Sequence, residues 1–364
     1  MTLLASAPGA PVRRRGRLVV RIGPFSAVLR LRGAATVVLG ALALLGTLLA
    51  SLLIGHSDVP AADVIATALG LSSDNQFTVW QVRVPRAATG ALVGAALAMS
   101  GAITQTIMRN PLASPDLLGV THGASVAVVA IAVAGGVYGA VSGLLAQLGV
   151  PLAALAGGLL AGGVLYLLAW RRGIDGYRVL LIGVGMSAVL MNVTLWLLTR
   201  GEVTDAGRAL VWITGSLNAR TWENAVPVAI ALAVLVPLAL LGARSLDALG
   251  HDDDTARGLG VRLDRDRSVL LLLAILLAAI GTAAAGPILF VSLAAPQIAL
   301  RLAGGHRPPL LASALVGAVL TCGSDLAARS LFGAFQLPVG IITGSLGAAY
   351  LIYLLVLRNR KASA

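Results

Sequence analysis

Apolar and charged positions are segregated along this chain. Seven runs contain no Asp, Glu, Lys or Arg: Gly33–Ser57, Ala87–Met108, Leu117–Trp170, Val179–Thr199, Asn224–Ala243, Ser268–Leu300 and Ser330–Leu357. A helix needs roughly 20 apolar residues to cross a hydrocarbon core, so most of these runs predict one span each. Leu117–Trp170 is long enough for two, punctuated near Gly149-Val150-Pro151, and Ser268–Leu300 predicts a span, a break at Gly286-Pro287 and a shorter return. Arg307–Arg329 supplies one more. The expected spans are 34–54, 84–107, 118–136, 150–170, 179–199, 224–242, 268–286, 288–303, 309–328 and 338–357. The fold class is therefore an all-α polytopic membrane protein with about ten transmembrane helices. A basic tail (1–33) precedes one transmembrane domain (34–357), which carries a polar segment at 243–267, and a short tail (358–364) follows.

Composition agrees. The chain is 58% hydrophobic and 12% charged, about half the charge of a soluble domain. The net charge of +12 could point to nucleic acid, but its distribution points to a membrane. With the N-terminus in the cytoplasm, 21 Lys and Arg residues fall inside and six outside, namely Arg83, Arg86, Arg200, Arg208, Arg220 and Arg329. That asymmetry is the positive-inside bias and predicts two cytoplasmic termini. Trp212 and Trp222, in the outer segment Arg200–Glu223, are expected as interfacial anchors. Glycine is abundant at 43 residues, with four-residue spacings such as Gly90/Gly94 and Gly119/Gly123 that let helix backbones approach closely.

Several chemistries are missing. There is no GxxxxGK[ST] loop, and the only lysine is Lys361, so this chain has no phosphate loop with which to hydrolyse ATP. Four scattered histidines and one cysteine, Cys322, show no metal-ligand spacing, so no metal site is expected. No GxSxG nucleophile elbow is present, and no catalytic residue is assigned. Asp252-Asp253-Asp254 has the look of acidic residues at a helix N-terminus, with a metal or pyrophosphate site as the alternative. Asp325 stands four residues before Arg329 on one helix face, an order that favours an ion pair.

The motifs in order are Trp80-Gln81-Val82-Arg83-Val84-Pro85-Arg86, then Gly94 through Gly101 to Gln105, and Arg109-Asn110-Pro111-Leu112-Ala113-Ser114-Pro115-Asp116-Leu117-Leu118-Gly119. Trp212-Ile213-Thr214-Gly215-Ser216-Leu217 follows, then Leu246-Asp247-Ala248-Leu249-Gly250 with Ala256 and Leu259-Gly260-Val261. Asp325-Leu326-Ala327-Ala328-Arg329 and Leu337-Pro338-Val339-Gly340 complete the set. Together they resemble the permeases of ABC importers for iron–siderophore complexes, haem and cobalamin, over most of the chain from about Trp80 to Leu355. One segment departs from the pattern: Gly286-Pro287 through Pro296-Gln297 has Ser292 and Gln297 where the family usually has Gly and His. Gln336 stands where Glu is usual. The Ser-Leu-Ala-Ala-Pro-Gln variant is similar to the second permease of ferric-enterobactin-type importers.

The resemblance implies a type II importer permease fold in the bacterial cytoplasmic membrane, working by alternating access. It implies a second, related permease subunit (a heterodimer), two cytoplasmic ATPase subunits and an extracytoplasmic substrate-binding protein. ATP and Mg would sit at the ATPases, with no cofactor on this chain. Arg83, Arg86 and Arg329 match positions that receive acidic residues of the binding protein. Leu246, Asp247, Leu249, Gly250, Ala256, Leu259 and Gly260 match the ATPase coupling segment. Arg109, Asn110, Pro111, Gly286, Pro287, Pro296, Asp325 and Pro338 belong to structural motifs. The substrate stays open between a ferric siderophore, cobalamin and haem. An ion-coupled carrier and a membrane-embedded prenyl-pyrophosphate enzyme are the other classes. Few intramembrane carboxylates speak against the first, and a lone acidic cluster against the second.

Overall fold

The computed structural model describes residues 17–22, 25–55, 59–135, 144–171, 173–201, 203–331 and 336–362. It opens on an antiparallel hairpin, β1 (Arg17–Ile22) and β2 (Phe25–Arg30), which the sequence reading treated only as tail. α1 (Leu31–Leu53), the short α2 (Ala61–Ala68) and a π-helical segment (Phe77–Arg83) lead into α3 (Val84–Ile107). Then come α4 (Val120–Gly135), α5 (Leu144–Ala169), α6 (Gly176–Leu198), α7 (Val203–Ile213) and α8 (Trp222–Leu241). Two short helices, α9 (Ala243–Leu249) and α10 (Asp253–Gly258), precede α11 (Leu263–Ala285), α12 (Val291–Ala303), α13 (Leu310–Ser330) and α14 (Val339–Ala362).

Among the described residues, seven helical stretches are long and apolar enough to cross a membrane. Shorter apolar stretches in α4, α12 and α14 bring the set to the ten expected. The apolar span expected at 150–170 is found at Gly149–Ala169, but Pro151 lies inside α5 rather than in a break before it; the connection at 136–143 lies outside the described residues.

α3 is the axis of the fold. It packs against α13, α11, α12 and α8, and every residue from Ala96 to Ile107 is buried. Lipid provides no hydrophobic drive between helices, so close backbone approach must do the work. The small residues of α3 supply it. A side chain on Gly94 would strike the carbonyl of Gly317 in α13, one on Gly317 would strike the carbonyl of Gly94, and one on Gly101 would strike the carbonyl of Ser292 in α12. Gly123 and Gly157 make the same reciprocal approach between α4 and α5. By contrast α1 exposes most of its length, as a lipid-facing helix would.

Among the described residues, two breaks lie within the bundle. One is the expected break between α11 and α12, where Gly286 and Phe290 take left-handed backbone conformations. The other corrects the sequence reading, which put all of Met108–Asp116 in a cytoplasmic loop. Only its start lies at that end. The Ser187 hydroxyl donates to the Asp116 carbonyl (3.2 Å), and Ser187 is about 16 Å along α6 from its first residue at 1.5 Å per residue. The segment therefore re-enters the bundle before α4 begins. Irregular backbone at this depth is tolerated because protein surrounds it.

Trp212 is a second correction. It is 7% exposed and packs with Ala124, Val128, Ala154 and Ala283 rather than anchoring at an interface. It lies near the end of α7, a helix that no long apolar run announced. Trp222 keeps a half-exposed position and donates from its ring to the Trp80 carbonyl (2.7 Å).

Candidate functional site

Three arginines and one aspartate gather at the end of the bundle where α1 stops. α1 ends with carbonyls that have no partner within the helix. Arg83 donates to the carbonyls of Leu52 (2.6 Å) and Leu53 (3.4 Å), and Arg329 to that of Ser51 (2.8 Å). Cations at a helix C-terminus also meet the negative end of its dipole. Arg86 instead makes a two-nitrogen contact with Asp325, at 2.9 and 3.0 Å. The predicted Asp325–Arg329 pair is looser, at 3.8 Å. Arg83 and Arg329 are 5% and 8% exposed, which narrows the expectation of three outward-facing arginines. Their guanidinium groups are turned into the protein, and Arg86 carries the outward contacts, reaching Asn218 (3.5 Å) and Gln336 (3.4 Å). A hollow of about 260 Å³ beside them is lined by Ile54, Gly55, Arg329 and Ser330.

The opposite end carries α9 and α10. Leu246, Leu249 and Ala256 are buried in the main core, whereas Asp247 and Leu259 are exposed. Gly250 is overlaid by the Arg307 guanidinium, which also pairs with Asp247 at 3.6 Å. Gly260 has a left-handed backbone (φ 83°) that turns the chain out of α10 toward α11. The acidic triplet resolves into three roles. Asp252 caps α10, accepting from the Thr255 amide (2.9 Å) and hydroxyl (2.7 Å). Asp253 receives Arg267 (2.6 Å) and Arg109 (2.6 Å), and Arg267 above all holds its carboxyl below the usual range, against the opposing effect of burial. Asp254 pairs with Arg257 on the surface (2.9 Å). Arg109, itself in a left-handed conformation, also donates to the Leu249 carbonyl (3.0 Å). Through Arg109 and Arg267, α10 is tied to the end of α3 and the start of α11. No cluster of three His, Cys, Asp or Glu suited to a metal occurs among the described residues.

The profile of the FecCD transport family matches residues 37–357. The chain belongs to the FecCD transport family. The ferric enterobactin transport system permease protein FepG of Escherichia coli (strain K12) is 43% identical, over 84% of this chain and 91% of its own length. The achromobactin transport system permease protein CbrC of Dickeya dadantii (strain 3937) is 39% identical, over 93% of this chain and 96% of its own. A solved structure assigned to a metal-chelate type ABC transporter, in an inward-facing conformation, aligns with a TM-score of 0.75 at 25% identity. The alignment covers 89% of this chain and 99% of that one. The chain is thus a membrane-embedded permease component of the ABC importer kind, and motors and a substrate receptor belong to such systems as other subunits.

Three FecCD motifs far apart in sequence meet at the α11–α12 break. The Ser216 amide donates to the Ala285 carbonyl (2.8 Å), and the Gly340 amide to the Gly215 carbonyl (3.1 Å). Gly215 lies against the Pro287 carbonyl and Gly286 against that of Trp212. Pro338 sits one residue before α14 and accepts from the Ile341 amide (3.1 Å). Asn110 and Pro111 open the re-entrant segment, with the Asn110 side chain accepting from the Leu112 amide (3.0 Å).

Two of the three departures from the family pattern, Ser292 and Gln297, find partners here, while the third, Gln336, accepts from Arg86 at the far end (3.4 Å). Ser292 donates to Asp116 (2.8 Å). Gln297, one residue after the buried Pro296, donates to Gln105 (2.7 Å), which in turn donates to the Leu293 carbonyl (3.0 Å). Sequence reasoning noted these departures but missed the pairings. The signal was available, since polar residues at membrane depth require partners.

Proposed function

We propose that this chain is one of two permease subunits of an ATP-driven importer that moves ferric-siderophore complexes across the bacterial cytoplasmic membrane by alternating access. The observation that carries the substrate class is the 43% identity to a ferric enterobactin permease over 84% of this chain, with a second siderophore permease at 39%. The Ser292–Gln297 variant supports a paralogous partner, hence a heterodimer. The basic bias of the loops supports cytoplasmic termini. In that orientation α9 and α10 face the ATPases, where ATP and Mg reside, and the arginine cluster faces the binding protein.

The roles follow from what each end offers. Leu246, Leu249 and Ala256 bind α9 and α10 to the core, so a push from the ATPase reaches α3 and α11 through Arg109, Asp253 and Arg267. Asp247, Gly250, Leu259 and Gly260 belong to the surface that meets the motor. Arg86 is the arginine placed to meet a carboxylate of the binding protein, while Arg83 and Arg329 hold α1 behind it.

The test is uptake by proteoliposomes holding this chain, its partner permease, the ATPases and the binding protein. ATP-dependent accumulation of ferric siderophore, abolished without either ATPase or binding protein, is the expected result. Accumulation of cobalamin or haem in its place, or uptake driven by an ion gradient without ATP, would overturn the proposal.

A further inference from the structure

The transport reading leaves the hairpin before α1 without a role. β1 and β2 pair with Arg17 opposite Arg30, Leu18 opposite Leu29, Val20 opposite Ala27 and Ile22 opposite Phe25. Successive strand residues alternate between faces, and directly opposed residues share one. Leu18, Val20, Ile22, Phe25, Ala27 and Leu29 therefore occupy the positions of a wholly apolar face. The positions of the other face are Arg17, Val19, Arg21, Ser26, Val28 and Arg30. Among the described residues the sheet has two strands, and a two-stranded hairpin is marginal in water, so an apolar face of this kind needs a cover.

The location indicates what the cover is. β2 ends at Arg30 and α1 begins at Leu31, with no residue between them. The start of α1 lies at the end of the bundle that carries α9 and α10. Arg32 approaches Gly304, the residue after α12, and Arg307 just beyond pairs with Asp247 of α9. The hairpin is thus held where the first span leaves the bilayer. An amphipathic element with arginines on its polar face fits a leaflet of anionic headgroups, through apolar burial and charge together.

We infer that the β1–β2 hairpin is an interfacial anchor, with its apolar face on the inner leaflet and its arginine face among anionic headgroups. The inference rests on the cytoplasmic placement of the N-terminus proposed above. It gives the first span a fixed collar beside the motor-facing surface.

The test uses the full chain in lipid nanodiscs with and without phosphatidylglycerol. Spin labels go on single cysteines at Val19, Val20, Ala27 and Val28 in a Cys322→Ser background. With anionic lipid, Val20→Cys and Ala27→Cys gain contact with dissolved oxygen and lose contact with a water-soluble nickel chelate, while Val19→Cys and Val28→Cys do the reverse. Leaving out the anionic lipid, or introducing Arg17→Gln with Arg21→Gln, lowers the ratio of bound to free hairpin, by about fivefold for each arginine removed. Equal accessibility at all four positions in anionic discs overturns the inference. Alternation that appears only when the ATPase subunits are added also overturns it, because the cover would then be protein. Sidedness is read separately. If an impermeant thiol reagent outside intact cells labels Val19→Cys, the orientation reading fails, whereas the nanodisc alternation, open on both sides, stands or falls on its own.

Discussion

Arg86 near the start of α3 and Asp325 on α13 meet at 2.9 Å, with side chains only 12% and 6% exposed. They join the two helices that cross at Gly94 and Gly317. Removing one partner of a buried pair costs about 3–5 kcal/mol, because the other charge is left uncompensated. Asp325→Asn leaves both Arg86 and Arg329 without their carboxylate, so it is predicted to lower the melting temperature of the purified permease more than Arg86→Gln does. The exchange Arg86→Asp with Asp325→Arg should recover part of the loss. Melting curves that rank the two single variants the other way would count against this account.

The outer arginines should separate into two behaviours. Both Arg86→Gln and Arg86→Glu lose the pair with Asp325, so docking is read from their difference: in permease that still assembles with its ATPases, Arg86→Glu is predicted to weaken binding-protein affinity more than Arg86→Gln does. Arg83→Gln and Arg329→Gln are predicted to act first on the end of α1, whose last carbonyls they hold. That effect appears as faster hydrogen exchange at Ser51–Leu53. Equal losses of receptor affinity in all three Gln variants, with unchanged exchange, would instead favour three direct docking contacts.

That distinction marks the boundary of what the sequence made legible. Spans were readable because hydrocarbon demands about 20 apolar residues and excludes charge, and α9 and α10 because a polar run interrupts that pattern. The direction of an arginine was not readable: it depends on where the carbonyls of Ser51, Leu52 and Leu53 fall after packing. Met108–Asp116 looked like a loop because Asn110, Pro111, Ser114 and Pro115 are loop residues. Its burial comes from neighbours distant in sequence, Ser187 and Ser292. Trp212 looked interfacial because tryptophan commonly is; the alanines that enclose it belong to three other helices. The hairpin was not legible because Arg17, Arg21 and Arg30 give the segment the composition of a basic tail, which masks the alternation of its apolar positions.

Asp253 gives a pH prediction. Its folded carboxyl is held below the ordinary range, chiefly by Arg267. A depressed carboxylate contributes stability that is complete above its unfolded value and is lost as pH falls through the folded value. The tether of α10 therefore holds throughout neutral pH and releases only in acid, below the usual carboxylate range. Asp253→Asn should release it at every pH. Amide exchange at Ala256–Val261 is predicted to rise in the variant at neutral pH, and ATP-driven uptake to fall while ATP hydrolysis persists. Unchanged exchange would show that Arg109 and Arg267 do not hold α10 through this carboxylate.

Glycines on helices with and without close neighbours should respond oppositely to a methyl group. A Cβ at Gly101 would overlap the Ser292 carbonyl, and backbone cannot swing aside as a side chain can. Gly101→Ala is predicted to destabilise by about 1–3 kcal/mol or more, as overpacking does. Gly46 has open space around it, so Gly46→Ala should be neutral or gain up to about 1 kcal/mol from helix propensity. Thermal melts of the two variants in the same detergent decide the matter.

Ser292 and Asp116 offer the sharpest check on the re-entrant segment. Ser292 is fully buried and donates to one oxygen of Asp116 at 2.8 Å, while the other oxygen has no partner among the described residues. Ser292→Ala removes the 2.8 Å hydrogen bond to this carboxyl, at a cost of about 1–3 kcal/mol for the group left less well satisfied. Because Gly is usual here in the family, Ser292→Gly tests whether this chain has come to depend on the hydroxyl. The loss should match that of alanine rather than vanish. A cycle with Ser292→Ala, Asp116→Asn and both together should give a coupling of about 0.5–3 kcal/mol, as residues sharing a bond do. Strictly additive losses would mean that α12 and the re-entrant segment are held by packing alone. A real coupling would make this hydroxyl a polar link between the α11–α12 break and the segment leading into α4, two irregular pieces of backbone that this bond joins.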